Sequence, residues 1–377
     1  MGLQEEIVGR SSKIFRDAYQ MSIGELINLY KDEEMDIHPE FQRVFRWSEM
    51  QKTKLIESIM LNIPIPSIFV SQNDDGVWDI IDGVQRLSTI FQFVGVFKNE
   101  EGKLVEPLVL KKTDYLPSFE GMKWENEDIE KSFTKEQQLA FKRARIDVII
   151  VKKESDPNTK YELFQRLNTG GSKLSDQEVR NCLMIMTNKS FYEFVNKLAK
   201  NDDFNNCIVI SDRKEDEQFK LELLLRLLIA DSMELEKESE YGDLKELLDK
   251  ETLNLMDKIS KEEYARIEER FNNTFKLLNR ILGEDTFKKY SDGKYKGPFL
   301  VSAFQGIATG IFGNIDVIYD KISDKEVEEK IKEFYSTDEY KNNTIRGSRS
   351  VPRFKELTKF GKVFFNYENW KFRRLTR

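Results

Sequence analysis

The feature that most constrains the fold is a strand–turn–helix pattern in the first quarter of the chain. The apolar run Val77–Ile81 has the composition of a β-strand, and Asp82–Gly83 follows it as a turn. Apolar residues at helical spacing continue through Ile90–Val94. A strand that passes through a glycine turn directly into a helix is typical of a mixed α/β domain, which we predict for this part of the chain.

The rest of the first half alternates strand and helix signals. Ser22 and Ser48 each stand three residues before a Glu or Gln, which is the spacing of a helix capping box. A polar stretch around Gly76 has the composition of a hairpin turn. The segments that we predict are a helix from Ser48 to about Leu61, a strand at 67–71, a helix at 86–98, an irregular polar insertion at 99–133, and a buried strand at 146–151.

From about residue 160 the pattern is almost wholly helical, with three more capping boxes, at Ser175, Ser260 and Ser323. The fold class predicted is therefore α+β. The predicted domains are a mixed α/β domain at 1–172, an all-α helical domain at 173–340, and a basic aromatic segment at 341–377.

Composition indicates a globular protein with a sizeable core. The chain has 377 residues, of which 39% are hydrophobic and 34% are charged. Cys182 and Cys207 form no C-x-x-C pair, so we expect free thiols in a reducing cytoplasm. The 19 residues from Gly297 to Ile315 carry no charge but include several polar side chains. They predict a buried helix rather than a membrane span, and we expect no membrane partner.

His38 is the single histidine of the sequence. Zinc sites with several histidine ligands and a His-Asn-His nuclease motif therefore cannot form within these residues. Ser-His-Asp catalysis would have to use His38 itself, for which an ordinary loop histidine is the favoured interpretation.

Charge is distributed unevenly along the chain. The net charge is −7, yet residues 341–377 carry 11 Lys or Arg against 2 Glu. Interleaved basic and aromatic residues are compatible with nucleic-acid binding. Alternatively, the aromatic side chains dock on the protein and the charges are solvated, which we slightly favour. The candidate nucleic-acid contacts are Arg346, Arg349, Arg353, Arg373 and Arg374.

Three turns share one composition, which is Gln or Asn, Arg, and a following helix N-terminus. If they converged, they would form a donor-rich pocket for phosphate groups. Each turn alone is equally compatible with an ordinary surface loop. The sequence has neither a P-loop nor a G-x-G-x-x-G turn after a strand. The turns contribute Gln42, Arg43 and Arg46; Asp82, Gly83, Gln85 and Arg86; and Arg166, Asn168, Thr169, Gly170 and Gly171.

These motifs together resemble a known family. The residues F-Q-R and Trp at 41–47, L-I-E-S-I and I-P-I-P at 55–66, I-D-G-V-Q-R-L-S-T-I at 81–90 and F-Q-R-L-N-T-G-G at 164–171 are similar to the N-terminal domain of the GmrSD and SspE modification-dependent restriction proteins. The resemblance covers about residues 20–185. Val84 stands where the first Gln of that family's D-G-Q-Q-R motif is usual.

The resemblance implies a ParB/sulfiredoxin-like fold and binding and hydrolysis of a nucleoside triphosphate with Mg²⁺, in the service of DNA sensing and phage defence. By position, Asp82, Gln85 and Arg86 would form the hydrolysis motif, with Asp82 also as a metal ligand. The remaining residues of the three turns would support nucleotide binding. Sulfiredoxin chemistry needs a cysteine in this turn, and none is present.

Family members commonly carry a C-terminal His-Asn-His nuclease domain, which a sequence with one histidine cannot form. Either the helical half has another task, or a separate nuclease or effector chain cuts DNA. Two alternatives remain from the residues themselves. One is a non-catalytic DNA-binding module. The other is a metal-dependent DNA nuclease, which is disfavoured because Asp147 with Lys152 is a poor match to nuclease spacing.

Overall fold

The computed structural model describes residues 2–3, 5, 16–37, 47–73, 75–99, 101–152, 175–233, 241–345 and 349–368. Backbone contacts divide the chain into two compact units, Met1–Leu174 and Ser175–Arg377. Each unit is described by itself.

Unit 1 is built on a mixed five-stranded sheet with the order β1–β5–β3–β4–β2. The pairs β1/β5 and β3/β4 are antiparallel, whereas β3/β5 and β2/β4 are parallel. This sheet, with the helices around it, confirms the α+β class. The strands are β1 (Arg16–Ser22), β2 (Met35–Asp36), β3 (Ile68–Gln72), β4 (Trp78–Asp82) and β5 (Arg145–Val151).

Within the described residues of unit 1, four α-helices accompany the sheet, and polar caps begin three of them. Ser22 accepts a hydrogen bond from the N–H of Glu25, while Ser48 and Thr134 each form a full capping box. The predicted helix at 86–98 begins earlier and ends at Val94, because Gly95 takes a left-handed conformation with φ 79°. The helices are α1 (Ile23–Lys31), α2 (Glu49–Met60), α3 (Val84–Val94) and α4 (Lys135–Arg143).

The polar insertion at 99–133 contains two 3₁₀ turns, Pro117–Phe119 and Ile129–Lys131, and contributes buried aromatic side chains. The ring of Phe93 on α3 meets Trp124, Phe133 and Phe141 edge-on, with centroid distances of 5.6, 5.0 and 5.5 Å. Such edge-to-face contacts add to the stabilisation from apolar burial. They fix α3, and with it the turn at its N-terminus, against the rest of unit 1.

Unit 2 is mainly helical, and the capping boxes predicted at Ser175, Ser260 and Ser323 are confirmed. Both cysteines are free and buried. Its helices are α5 (Asp176–Thr187), α6 (Lys189–Ala199), α7 (Asp202–Cys207), α8 (Asp212–Asp216), α9 (Phe219–Ser232), α10 (Leu244–Lys258), α11 (Lys261–Leu282), α12 (Val301–Ala303), α13 (Thr309–Lys321), α14 (Asp324–Ser336), α15 (Asp338–Asn343) and α16 (Ser350–Phe364).

The prediction that this half is all-α is wrong at one place. A two-stranded antiparallel hairpin, β6 (Lys289–Ser291) and β7 (Lys294–Lys296), follows α11. Asp292 and Gly293 have φ of 53° and 77°, the left-handed backbone that a tight Asp-Gly hairpin turn requires. The sequence gives no ordinary strand signal here, because Lys and Tyr alternate and no aliphatic residue is present.

A π-helical turn, Phe304–Ala308, joins α12 to α13, so that Val301–Lys321 runs as one helical stretch. By length and composition this stretch could cross a membrane, but 67% of its apolar window is buried inside the protein. The same burial is typical of a core helix of a soluble protein, as predicted for the uncharged segment. Glycines let α16 approach it closely: a Cβ on Gly310 would lie 2.5 Å from the carbonyl oxygen of Gly361.

Candidate functional site

The turn between β4 and α3 is defined by the backbone of Gly83. Asp82 ends β4, Gly83 has φ 105°, and α3 begins at Val84. A Cβ built on Gly83 would lie 2.4 Å from Cδ1 of the buried Ile68 on β3. Both the left-handed conformation and the close approach require glycine. The turn therefore brings the backbone of Asp82 and the start of α3 tightly against β3.

Arg86 ties this turn together from the first turn of α3. Its Nη2 donates to Oδ2 of Asp82 at 2.7 Å and to the carbonyl oxygen of Ser67 at 3.1 Å. The Arg86 side chain is 13% exposed, whereas that of Asp82 is 44% exposed. Arg86 Nε is buried and has no hydrogen-bond partner among the described residues. The Arg86 guanidinium is thus held next to the Asp82 carboxylate, which remains exposed to solvent.

The N-terminus of α3 is not capped by a side chain, because Gly83 occupies the capping position. The first intrahelical bond joins the N–H of Leu87 to the carbonyl of Gly83, so the preceding N–H groups have no intrahelical acceptor. Such N–H groups, together with the helix dipole, favour a bound anion. Arg86 adds a guanidinium beside these N–H groups, and its positive charge also favours a phosphate group.

Gln85 lies on the same turn but is 9% exposed. Its Oε1 accepts a hydrogen bond from the backbone N–H of Trp47 at 3.2 Å. The C-terminal end of the first predicted turn therefore lies against the second. Gln42, Arg43 and Arg46, which precede Trp47 in sequence, lie outside the described residues, as does His38. Their predicted convergence on the site stays a prediction.

The third predicted turn also lies outside the described residues, with Arg166, Asn168, Thr169, Gly170 and Gly171. The helix that follows it, α5, is described. Arg180 on α5 is fully buried and donates to Glu222 at 2.6 Å and to Asp249 at 3.0 Å. Each carboxylate thereby gains a partner in the core. Arg180 therefore has a structural role in unit 2 and is not available to a phosphate group.

Two of the five C-terminal arginines are described. Arg349 is exposed at the N-terminus of α16, and Arg353 is partly buried one turn later. Arg346, Arg373 and Arg374 lie outside the described residues. The docked alternative is confirmed for three of the described aromatic side chains of this region, since Phe354, Phe364 and Phe365 are buried, while Phe360 and Tyr367 are partly buried.

The described residues contain no group of three or more His, Cys, Asp or Glu side chains that could hold a metal ion. Asp82 is thus the one carboxylate of the turn. A single carboxylate suits a metal ion that the phosphate groups of a bound ligand also coordinate. The disfavoured nuclease pattern, Asp147 with Lys152, gains no support, because Lys152, directly after β5, pairs with Asp17 on β1 at 2.8 Å.

Two contributions to the site were not predicted from the sequence. The Ser67 carbonyl and the Trp47 N–H both act through backbone atoms, which leave no side-chain signature. Trp47 lies 38 residues from Gln85, and Ser67 lies 19 residues from Arg86. The proline pair that precedes Ser67 was the one local sign that an extended segment begins there.

Comparison with known proteins finds a similarity over the part of the chain that contains this turn. Residues 23–185 match the family described as GmrSD restriction endonuclease, N-terminal domain. The match includes the whole β4–α3 turn and extends through the first helical turns of α5. No curated protein and no solved structure matches the chain.

Proposed function

We propose that this chain, whose residues 23–185 match the family of GmrSD restriction endonuclease N-terminal domains, binds a nucleoside triphosphate at the Asp82–Arg86 turn and hydrolyses it. The match to this family supports a role in a restriction-type defence system. The observation that carries the proposal is the Arg86 guanidinium, held at the uncapped N-terminus of α3 beside the exposed Asp82 carboxylate.

Phosphoryl transfer is catalysed mainly by positioning and by stabilising charge on the phosphate oxygens. The α3 N-terminus and Arg86 supply positive potential within one turn of helix. Arg86 is pre-positioned, because Ser67 and Asp82 hold its Nη2 before any ligand arrives. A pre-positioned donor loses little conformational entropy on binding, which increases its contribution to affinity.

Asp82 is the one acidic group of the turn. Arg86 engages its Oδ2, and nearly half of the side chain stays exposed. In this position Asp82 would hold a Mg²⁺ ion that accompanies the nucleotide, or orient the attacking water. Mg²⁺, when bound, neutralises charge on the phosphate oxygens.

Gln85 acts as a positioning residue in this proposal. Its bond to the Trp47 N–H fixes the end of the segment that contains Gln42, Arg43 and Arg46. Those side chains, and those of the turn at 166–171, would complete the phosphate site in a ParB/sulfiredoxin-like domain. Since His38 is the single histidine of these residues, a His-Asn-His nuclease step in this proposal would be carried out by residues outside this sequence, such as those of a separate nuclease or effector chain.

Nucleotide binding tests the site directly. Calorimetric titration of the full chain with ATP, GTP, CTP and UTP in Mg²⁺ should show binding of at least one of them. Arg86→Gln removes the guanidinium and should weaken that binding by about tenfold or more, as expected for a charge-assisted phosphate contact. The matched control is Arg143→Gln at the exposed end of α4, which should bind like the wild type.

Because Arg86 also holds the turn together, thermal unfolding of each variant must accompany the titration. A folded Arg86→Gln variant with wild-type affinity would remove Arg86 from the site. Absence of binding by the wild type to all four nucleotides would overturn the proposal.

A further inference from the structure

The hairpin β6–β7 of unit 2 has two chemically different faces. The register pairs Lys289 with Lys296, Tyr290 with Tyr295, and Ser291 with Lys294. Because side chains alternate along a strand, Lys289, Lys294 and Lys296 share one face and the tyrosines share the other. All three lysines are exposed, and both tyrosines are partly buried.

The tyrosine face anchors the hairpin. The rings of Tyr290 and Tyr295 contact each other with centroids 4.9 Å apart. Lys332 on α14 places its Nζ 5.5 Å from the centroid of the Tyr290 ring and pairs with Glu328 at 2.7 Å. Burial of the Tyr295 hydroxyl raises its pKa. The hairpin therefore rests on α14 through its tyrosines and presents its lysines outward.

The outward face carries a charge arrangement that is unfavourable within the protein alone. Lys289 and Lys296 are directly opposite each other, and like charges at such cross-strand positions are destabilising. Lys296 pairs with Asp292 at 2.6 Å, and the pKa of Asp292 is lowered first by that hydrogen bond and more weakly by the charge of Lys289. No described carboxylate lies within ion-pair distance of Lys289 or Lys294.

The neighbouring Lys288 differs from Lys289 and Lys294, because it has carboxylate partners. It pairs with Glu284 at 3.1 Å and with Asp285 at 2.9 Å, so its charge is compensated next to the hairpin. Within the hairpin, the lysines without an ion-pair partner are thus Lys289 and Lys294, both on the exposed face. A polyanion is the complementary partner for such a face.

We propose that the lysine face of the β6–β7 hairpin binds the phosphate backbone of duplex DNA. A two-stranded ribbon fits the major groove of B-DNA, and lysines at its exposed positions contact phosphate groups as point charges. Contacts of this kind position a protein on DNA without reading its sequence. The face would therefore serve general DNA engagement, not recognition of a particular base.

The position of the tyrosines favours a duplex over a single strand. Proteins that bind single strands stack bases on exposed aromatic rings, whereas Tyr290 and Tyr295 face α14. An anionic membrane surface is disfavoured because the outward face has no apolar side chain to insert. This inference rests on the proposed function only for the choice of DNA as the polyanion, and it needs no nucleotide.

Salt-dependent DNA binding tests the inference. Fluorescence anisotropy with a short labelled duplex, in the absence of nucleotide, gives the binding constant of the full chain over a range of salt concentrations. The variant Lys289→Gln/Lys294→Gln/Lys296→Gln should bind about tenfold or more weakly at low salt. Its plot of log K against log salt should be shallower by about 2 to 3, since each phosphate contact contributes about 0.9 to the slope.

The matched control removes three other exposed lysines of unit 2, as Lys200→Gln/Lys258→Gln/Lys261→Gln. It makes the same change in net charge and should keep the wild-type slope. Equal effects of the two triple variants would overturn the inference, as would a wild-type chain that fails to bind duplex or binds a single strand more tightly. Asp82→Ala should keep duplex affinity, so loss of nucleotide function and loss of DNA contact are distinguishable.

Discussion

At the scale of single residues, the candidate site depends on a few positions whose chemistry cannot be exchanged. Gly83 allows the turn, Arg86 supplies the cation, and Asp82 supplies the exposed carboxylate. The sequence predicts all three, because a glycine between a strand and a helix is a local signal. It does not predict which Arg of the region is structural, since the partners of Arg180 lie 42 and 69 residues away along the chain.

Gly83→Ala should lower the free energy of unfolding of unit 1 by about 2–4 kcal/mol. The left-handed conformation costs a non-glycine residue about 1–2 kcal/mol, and the contact of the new Cβ with Ile68 adds an overpacking penalty. Urea denaturation measures the change.

Gly76→Ala separates the two contributions. Gly76 also has a positive φ, of 89°, but a Cβ there would meet no atom within 4 Å. This variant should lose only the conformational contribution of about 1–2 kcal/mol. Equal losses at both positions would show that Ile68 does not constrain the turn.

At the scale of elements, local sequence patterns predict the helices and strands that local interactions stabilise. The β3–β4 hairpin, β5, α2 and the capped helices of unit 2 follow from alternation, helical spacing and capping boxes. β1 was missed because Arg16–Ser22 is polar, and it forms through a seven-residue register with β5, more than 120 residues away. The β6–β7 hairpin was missed because its strands carry lysine where aliphatic residues are usual.

Gly361→Ala should detach α16 from the stretch Val301–Lys321. Its Cβ would lie 2.1 Å from the carbonyl oxygen of Gly306, a backbone atom that cannot rotate away. We expect a loss of about 3 kcal/mol in the free energy of unfolding of unit 2, larger than the gain of about 1 kcal/mol in helix propensity.

Gly313→Ala is the matched change on the facing helix. The nearest atom to its Cβ would be Cγ of the flexible Lys362, at 3.6 Å. This variant should be neutral or stabilised by up to about 1 kcal/mol, because alanine favours a helix over glycine. If urea denaturation shows the same stability for both variants, close backbone contact does not hold α16 against the stretch Val301–Lys321.

At the scale of the whole molecule, the charge distribution and the family match both support the proposed functions. The chain has a net charge of −7, yet cations are gathered on the outer face of β6–β7 and over residues 341–377. The match to the GmrSD N-terminal domain family spans the β4–α3 turn, where the cation and the exposed carboxylate meet. In the proposed account, unit 1 turns over the nucleotide and unit 2 contacts DNA.

Phosphate release is the measurement that tests the central claim most directly. The purified chain is incubated with ATP, GTP, CTP or UTP and Mg²⁺, with and without duplex DNA, beside Asp82→Ala. The account predicts release from at least one nucleotide, a reduction of about 100-fold or more in folded Asp82→Ala, and wild-type release in the control Asp32→Ala, an exposed acid beyond α1. Wild-type release by Asp82→Ala, or no release from any nucleotide, would contradict it.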